Sequence, residues 1–422
     1  MKDEMLDAPR GMRAHIGLFG RCNAGKSSLL NAITGQNVSI VSDRAGTTAD
    51  VVEKTLEYAP LGPVVFLDTA GLDDGGSLGA QRSAASRRAM RRVDVALLVT
   101  DGALFGAPEE AILRELRALG VPVAVLRNKA DNMGHAPLPP GLGRGVPVLD
   151  VSARSGKGLD ELPAILRDLL PGAVAPQPPL LRDLVPAGGL VLLVAPIDSG
   201  APKGRLIQPQ TLAIRDCLDG GLVCMLCRDG EYRQALGRLD ARPDLVVCDS
   251  QVVDSVVEQS PDGQLLTTFS ILLARQKGDL GELARGAAML CALEPGDAVL
   301  IQEACSHHAQ DDDIATVKLP RLLRRMAGGD LDIRNAHGKD FSAYDPDLRL
   351  VVHCGACVIT RRQMLSRLEA AGSCGLAMTN YGLAISAAKG VLERALGPFP
   401  EALAAYREAQ AAQGAQKGRP GR

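Results

Sequence analysis

Two short clusters toward the carboxyl end hold the residue types best suited to chemistry. Cys305-Ser306-His307 and His353-Cys354-Gly355-Ala356-Cys357 together offer three thiols and two imidazoles. Thiolate and imidazole bind zinc ions or iron-sulfur clusters. The second cluster sets two thiols three positions apart with Gly355 between them, where the backbone is expected to turn and let both sulfurs face one ion. Cysteine is also an ordinary small core residue, so a lone Cys-x-x-Cys among ten cysteines means little. Cys-x-His on one side and His-Cys-x-x-Cys on the other favour a metal site, with Cys305, His307, His353, Cys354 and Cys357 as candidate ligands. His308 and the triplet Asp311, Asp312 and Asp313 are nearby competitors, although an acidic triplet is more often a solvated face or a helix start.

A second constellation lies near the amino terminus. The apolar run Ala14 to Gly20 leads into Gly20-Arg21-Cys22-Asn23-Ala24-Gly25-Lys26-Ser27, and the helical Ser28-Leu29-Leu30-Asn31-Ala32-Ile33 follows. Strand, glycine loop and helix are the context a phosphate-binding loop requires. Backbone amides along Gly20, Asn23, Ala24, Gly25, Lys26, Ser27 and Ser28 can curl around phosphates; Lys26 neutralises the outer ones and the Ser27 hydroxyl reaches magnesium. Val64 to Leu67 then runs into Asp68-Thr69-Ala70-Gly71, which brings a carboxylate near the magnesium and the Gly71 amide near the terminal phosphate. Between the two lies Gly46-Thr47-Thr48, whose Thr48 hydroxyl is expected to reach the metal only when that phosphate is present. Lys26, Thr48, Asp68 and Gly71 are the expected catalytic set.

Two further strand ends complete the nucleotide site. Val121 to Arg127 ends in Asn128-Lys129-Ala130-Asp131, and Pro147 to Val151 ends in Ser152-Ala153. These resemble the guanine-reading elements of GTPases, in which the Asp131 carboxylate accepts the two N–H groups of guanine. Adenine has no such pair, so the nucleotide is GTP. Asn23 is similar to the loop asparagine of TrmE-like and Era-like GTPases, and that resemblance implies a potassium ion standing in for an arginine finger. Leu72 follows Asp-Thr-Ala-Gly where Ras-type enzymes carry a water-positioning glutamine. Slow, potassium-stimulated hydrolysis and a switch-like role are the expectation.

The elements that must position these residues imply an α/β chain of three domains. Residues 1–12 read as an extension, 13–170 as a P-loop GTPase domain and 171–180 as a proline-rich linker. Strands alternate with helices over 181–260, implying a small parallel α/β domain. About eighty residues make a thin core, and parallel sheets want both faces covered. Dimerisation through this unit would supply the cover. Cys224 and Cys227 fall on one of its strands and diverge to opposite faces, so core packing is expected of them. Residues 261–400 form the cluster-binding α/β domain: Cys305 follows a strand at Ala298 to Glu303, and His353 follows a strand at Leu348 to Val352. Both clusters then stand at carboxyl ends of strands, where open α/β sheets place ligands. Residues 401–422 read as a C-terminal tail, low-complexity and frayed from about Ala409.

Composition narrows the function classes. Lys plus Arg total 47 against 49 for Asp plus Glu, a net charge of -2 with no long basic run, so nucleic acid is not an expected partner. Met1 to Met12 lacks the apolar segment of a secretory signal, and the apolar run near Leu190 is too short to span a bilayer. The expectation is a cytoplasmic protein without membrane contact, in a reducing compartment where thiols bind metals or catalyse rather than pair.

The combination of a GTPase with Cys305, His307, His353, Cys354 and Cys357 resembles the HydF family, the maturation GTPases of FeFe-hydrogenase, over nearly the whole chain. That resemblance implies a 4Fe-4S cluster on Cys305, Cys354 and Cys357, with His307 as the favoured fourth ligand and His353 as either a ligand or its hydrogen-bonding neighbour. It also implies a scaffold or carrier for the two-iron subcluster, built by the radical-SAM maturases HydE and HydG and delivered to the hydrogenase apoprotein, and a homodimer. From the ligand types alone, a structural zinc site on an ordinary regulatory GTPase and a TrmE/Era-like GTPase acting on RNA remain open.

Overall fold

The computed structural model describes residues 10–35, 51–72, 76–101, 105–131, 142, 145–170, 178–197, 206–304, 314–338 and 344–417. It divides into two compact units, Met1–Gln177 and Pro178–Arg422. No helix among the described residues is long and apolar enough to cross a membrane.

The first unit runs β1 (Ala14–Phe19), α1 (Lys26–Thr34), β2 (Val52–Tyr58), β3 (Gly62–Asp68), α2 (Gly76–Met90), β4 (Val95–Thr100), α3 (Ala107–Ala118), β5 (Val123–Arg127), β6 (Val148–Asp150) and α4 (Leu162–Leu169). Its sheet has the order β2-β3-β1-β4-β5-β6. Only the β2–β3 pair is antiparallel. The central strands Ala-His-Ile-Gly-Leu-Phe and Val-Ala-Leu-Leu-Val-Thr are buried at every position. Such unbroken burial is what a parallel strand covered on both faces requires. One apolar layer gathers Ile16, Leu18, Leu29 and Leu166, the other Phe19, Leu67, Leu98 and Leu116.

The second unit begins with β7 (Leu190–Val194), α5 (Gln208–Asp219), β8 (Val223–Cys227), α6 (Tyr232–Leu236), β9 (Leu245–Cys248), α7 (Val253–Gln259), β10 (Leu266–Thr268) and α8 (Phe269–Lys277). Its first sheet is all parallel in the order β10-β9-β7-β8. There follow α9 (Leu280–Ala288), β11 (Ala298–Glu303), α10 (Leu319–Ala327), β12 (Asp332–His337), β13 (Leu348–His353), α11 (Arg361–Ser373), β14 (Ala377–Asn380), α12 (Tyr381–Ala388), α13 (Leu392–Ala395) and α14 (Pro400–Lys417). They form a second parallel sheet, β12-β11-β13-β14.

The structure adds detail at three places. The middle sheet runs past residue 260, because β10 pairs with β9 through Leu266 to Thr268. Its short Leu-Thr-Thr carries no alternation, and only the neighbouring strand defines it. The second and third domains each keep their own sheet and pack into one compact unit, whose shared core runs from Leu180 through Phe269 and Val351 to Tyr406. Finally, residues 400–417 form a helix, in which Ala402, Ala405 and Tyr406, spaced along one helical face, are buried. Cys224 and Cys227 do diverge. Cys224 joins the core under α5 and hydrogen-bonds the Cys217 thiol, whereas Cys227 packs with Tyr232 and Val253 on the opposite face.

Candidate functional sites

At the carboxyl end of β1 the loop to α1 is closed by its own backbone. Gly20 has φ +147°, and a Cβ there would meet the Val99 carbonyl oxygen at 2.2 Å. Gly25 has φ +88°, and a Cβ there would stand 2.3 Å from Asn128 Nδ2. Only glycine serves at either position. Asn23 takes the left-handed conformation at φ 60°, which asparagine tolerates better than most residues. Lys26, nearly buried, donates to the carbonyls of Gly20 at 3.1 Å and Arg21 at 2.7 Å. The ammonium therefore sits inside the loop curl, where phosphate oxygens are cradled. Arg21 is turned away and paired with buried Glu109 at 2.5 Å.

The remaining nucleotide-site residues converge on that loop. The Ser27 hydroxyl donates to Asp68 Oδ2 at 2.6 Å, so a hydroxyl and a carboxylate that one hard cation can share already touch. Gly71 lies against the loop: a Cβ there would meet Cys22 Sγ at 2.4 Å and its amide nitrogen at 2.6 Å. Cys22 thus makes a close contact with the Asp68-to-Gly71 turn. Buried Asn128 ties three segments together, donating to Ala24 O at 3.0 Å and accepting from the Ala153 amide at 3.1 Å. Lys129, at φ 62°, donates to Asn23 O at 3.1 Å. A hydrogen bond from Ser152 holds the Asp131 carboxyl below the usual range, helped by its own amide and by Arg154 and Lys157. It therefore stays an ionised acceptor, as recognition of two N–H donors requires. Ser28 lies in the first turn of α1. Gly46, Thr47 and Thr48 fall outside the described residues.

The second site lies where β11 and β13 end. Cys354 follows β13, its amide donating to Gln302 O at 2.9 Å. The Ala304 amide donates to Cys354 Sγ at 3.2 Å, a contact that suits a thiolate. The turn to Cys357 is made by Ala356 and not by Gly355: Ala356 has φ 56° and is buried, while a Cβ on Gly355 would make only an ordinary contact with Leu273. A non-glycine residue held in the left-handed region costs about 1–2 kcal/mol and marks a loop its surroundings over-determine. Gln208 donates to Cys357 O at 3.0 Å, and Thr360 with Gln363 caps α11 just beyond. Burial pushes the Cys357 thiol up, opposed by backbone amides and the nearby, fully buried Lys277.

His353 is spent on the fold. Arg367 donates to its Nε2 at 2.6 Å, so Nδ1 carries the proton and donates to Cys354 O at 2.8 Å. Burial and Arg367 together push the imidazole down to about 3, so it is neutral. Both ring nitrogens of His353 are thus engaged within the protein. Cys305, His307, His308 and Asp311 to Asp313 lie outside the described residues. Among the described residues no three Cys, His, Asp or Glu side chains converge on a single-ion site. The pair Cys354 and Cys357, the amide on Cys354 Sγ and the buried ammonium of Lys277 fit a thiolate-held group carrying negative charge. Glu303, His337, Arg367 and Lys277 were not foreseen. Each is isolated in sequence, and only strand register or helix packing brings it to the site.

The loop, the Ser27–Asp68 contact and the Asn128 tie define a P-loop GTPase at the end of a parallel sheet. A model described as "50S ribosome-binding GTPase" matches residues 15–129. One described as "Hydrogen maturase F dimerization domain" matches 180–278, and one described as "Hydrogen maturase F tetramerization domain" matches 281–398. With those last two side by side behind a GTPase unit, the chain belongs to the hydrogen maturase F family.

Curated relatives match part of the chain. The tRNA modification GTPase MnmE of Paramagnetospirillum magneticum is 40% identical over 176 residues, covering 40% of this chain and 38% of that protein. GTPase Der of Wolinella succinogenes is 35% identical over 182 residues, 38% of this chain and 36% of that one. GTPase Era of Lactobacillus delbrueckii subsp. bulgaricus is 33% identical over 163 residues, 37% of this chain and 54% of that one. The chain thus spans 36–54% of the length of these three relatives.

Proposed function

We propose that this protein is a GTP-hydrolysing scaffold or carrier that holds a 4Fe-4S cluster and assembles or transfers the two-iron subcluster precursor of FeFe-hydrogenase. The observation that carries this reading is the Cys354-to-Cys357 turn at the end of β13, inside the region matched by the second hydrogen maturase F model. Cys305, Cys354 and Cys357 hold the cluster, which supplies an iron without a cysteine and hence an exchangeable position. An exchangeable position binds and releases cargo. Radical-SAM maturases of the HydE and HydG type supply the unit, and the hydrogenase apoprotein receives it.

At the nucleotide site Lys26 binds the outer phosphates, Ser27 and Thr48 hold magnesium with Asp68 beside them, and the Gly71 amide reads the terminal phosphate. Asn128, Lys129, Asp131, Ser152 and Ala153 read guanine. Asn23 helps bind potassium, and Leu72 in place of a water-positioning glutamine makes hydrolysis slow. Nucleotide state controls docking and release of partners through the Thr47-Thr48 segment. If locking the GTP-bound form left every partner affinity and the activation rate unchanged, this control would be abandoned.

The protein works in the cytoplasm as an oligomer, with the dimer forming along β8. That strand is a sheet edge and leaves Val223 57% and Leu226 43% exposed. An open apolar edge is a template for a second strand. The tRNA modification GTPase MnmE is matched over 40% of this chain, so its substrate is not carried over with that similarity.

The deciding experiment is iron and acid-labile sulfide content after anaerobic purification, with an EPR spectrum after dithionite reduction, on wild type and Cys354→Ser. About four irons per chain and a reduced-cluster signal that the variant loses is the expected result. Stoichiometric zinc without iron, even after reconstitution, would make this a regulatory GTPase with a structural metal.

A further inference from the structure

The thiols of Cys217 and Cys224 meet where α5 covers the edge of the first parallel sheet, and neither belongs to the nucleotide site or to the Cys354 turn. Cys217 stands in the last turn of α5 and completes its buried stripe of Gln210, Ala213 and Cys217. The helix closes on Gly221, at φ +65°, and the Leu222 amide turns back to donate to the Cys217 carbonyl at 2.9 Å. β8 therefore sets out from beside that last turn. Leu222 and Cys224, two apart on an extended segment, point to one face. Leu222, Cys217 and Val191, the register partner of Cys224, are buried in a single core against which Cys224 packs.

The contact between the two thiols makes them unequal. Cys217 is fully buried and Cys224 only half-buried. The Cys217 S–H donates to Cys224 Sγ, and that bond holds the Cys224 thiol below its usual value against the opposing effect of burial. The same contact, with burial behind it, pushes the Cys217 thiol up. Cys224 thus has the access and thiolate character of an attacking sulfur, and Cys217 is the sealed, protonated partner within reach of it. Cys227 does not compete. It packs on the opposite face of β8 with Tyr232 and Val253, and burial pushes its thiol up to about 11.

We propose that Cys217 and Cys224 form a reversible dithiol–disulfide couple that reacts with small-molecule disulfides of the glutathione type. The Cys224 thiolate attacks one sulfur of the small disulfide, whose S–S bond breaks, and one small thiolate leaves with the electron pair. Cys217 then loses its proton and attacks Cys224 Sγ, which forms the protein S–S bond and expels the second small thiolate. The protons of the two protein thiols pass to the two released thiolates. Two protein thiols are oxidised and one small disulfide is reduced to two thiols, so two electrons change hands. The bond ties the last turn of α5 to the edge strand β8, where exposed Leu218 and Val223 flank the couple. It involves no residue of the nucleotide site or of the cluster reading, and stands or falls apart from both.

The test is to incubate the full-length protein, purified without oxygen, with reduced glutathione or with excess oxidised glutathione, then to alkylate free thiols, digest with trypsin and read fragment ions. Cys217, Cys224 and Cys227 fall on one tryptic peptide, Asp216 to Arg228, so the fragments show which two sulfurs are joined. The expected result in oxidised wild type is a Cys217–Cys224 bond with Cys227 alkylated, reversed by dithiothreitol. Cys217→Ser should stop at glutathione held on Cys224, and Cys224→Ser should leave Cys217 unmodified. All three thiols alkylated in oxidised wild type would overturn the proposal. So would a bond from Cys227 to either of the others, glutathione that persists on wild-type Cys224, or glutathione on Cys217 in Cys224→Ser. The wild-type peptide carries no substitution, so it decides the pairing even where a variant fails to fold.

Discussion

The nucleotide site and the cysteine site both stand at carboxyl ends of parallel strands, but they are built from different materials. Around Lys26 the groups that do the work are backbone amides and carbonyls, held by glycines that admit no Cβ and by side chains that bond back to the loop. Around Cys354 they are side chains, held by a buried network of His353, Arg367 and Gln302 and by the register of separate strands. A backbone cradle is specified by a short run of residues. A side-chain site is specified by whatever the fold brings beside it, so its sensitive positions are distant in sequence.

The largest expected effect tests the separateness of the two sites. Lys26→Ala should lower single-turnover GTP hydrolysis by roughly 10²–10³-fold or more, since a preorganised positive group at the transferring phosphate is lost. Iron content should be unchanged; a parallel loss of iron would break the comparison. Next in size, Arg367→Leu leaves buried His353 Nε2 and half-buried Gly338 O without their donor. A cost of about 1–3 kcal/mol is expected in denaturant unfolding, because a buried acceptor loses its partner. Wild-type stability in that variant would mean the network is not what holds the second site.

Smaller effects sharpen the contrast. Ala356→Val puts a β-branched residue at φ 56° and should cost about 1–2 kcal/mol and lower the iron bound per chain, leaving GTP hydrolysis as it was. Unchanged iron would show that the turn does not present the cysteines. The smallest concerns Asp183, whose carboxyl Arg275 holds below the usual range through a two-pronged contact. A depressed carboxylate stabilises the fold above its unfolded pKa near 4, and the contribution disappears as pH falls through its folded value. The pair is partly exposed, so Asp183→Asn should cost under about 1 kcal/mol at neutral pH and flatten the acid limb of the unfolding midpoint against pH.

How much was legible follows the same division. The phosphate loop, the Asp68 turn and the Asn128 segment were readable because each is contiguous, with a recognisable strand before it. The Cys354 turn was readable as a motif but not in its mechanics. Gly355 looked like the hinge, yet Ala356 bends, because burial of its methyl and the start of α11 hold it there. His353 looked equally like a ligand or a neighbour until Arg367, fourteen residues on, took its free nitrogen. β12 went unseen since Asp-Ile-Arg-Asn-Ala-His is an edge strand with little apolar alternation, and His337 went with it. The stretch from about Ala409 looked like a low-complexity tail, whereas the helix Pro400–Lys417 runs on through it, anchored by buried Ala402, Ala405 and Tyr406.

The sequence by itself determined the α/β class, the nucleotide loop with its guanine-reading partners, and the residue types at the thiol motif. These depend on local chemistry: glycine where no Cβ fits, a lysine and a hydroxyl at set offsets, thiols three apart. Tertiary structure alone decided that the last two sheets share one core, that His353 is neutral and engaged, and that Glu303 and His337 pair across the ends of neighbouring strands. Those outcomes depend on strand register and helix packing, which join residues dozens of positions apart through contacts that no local pattern encodes.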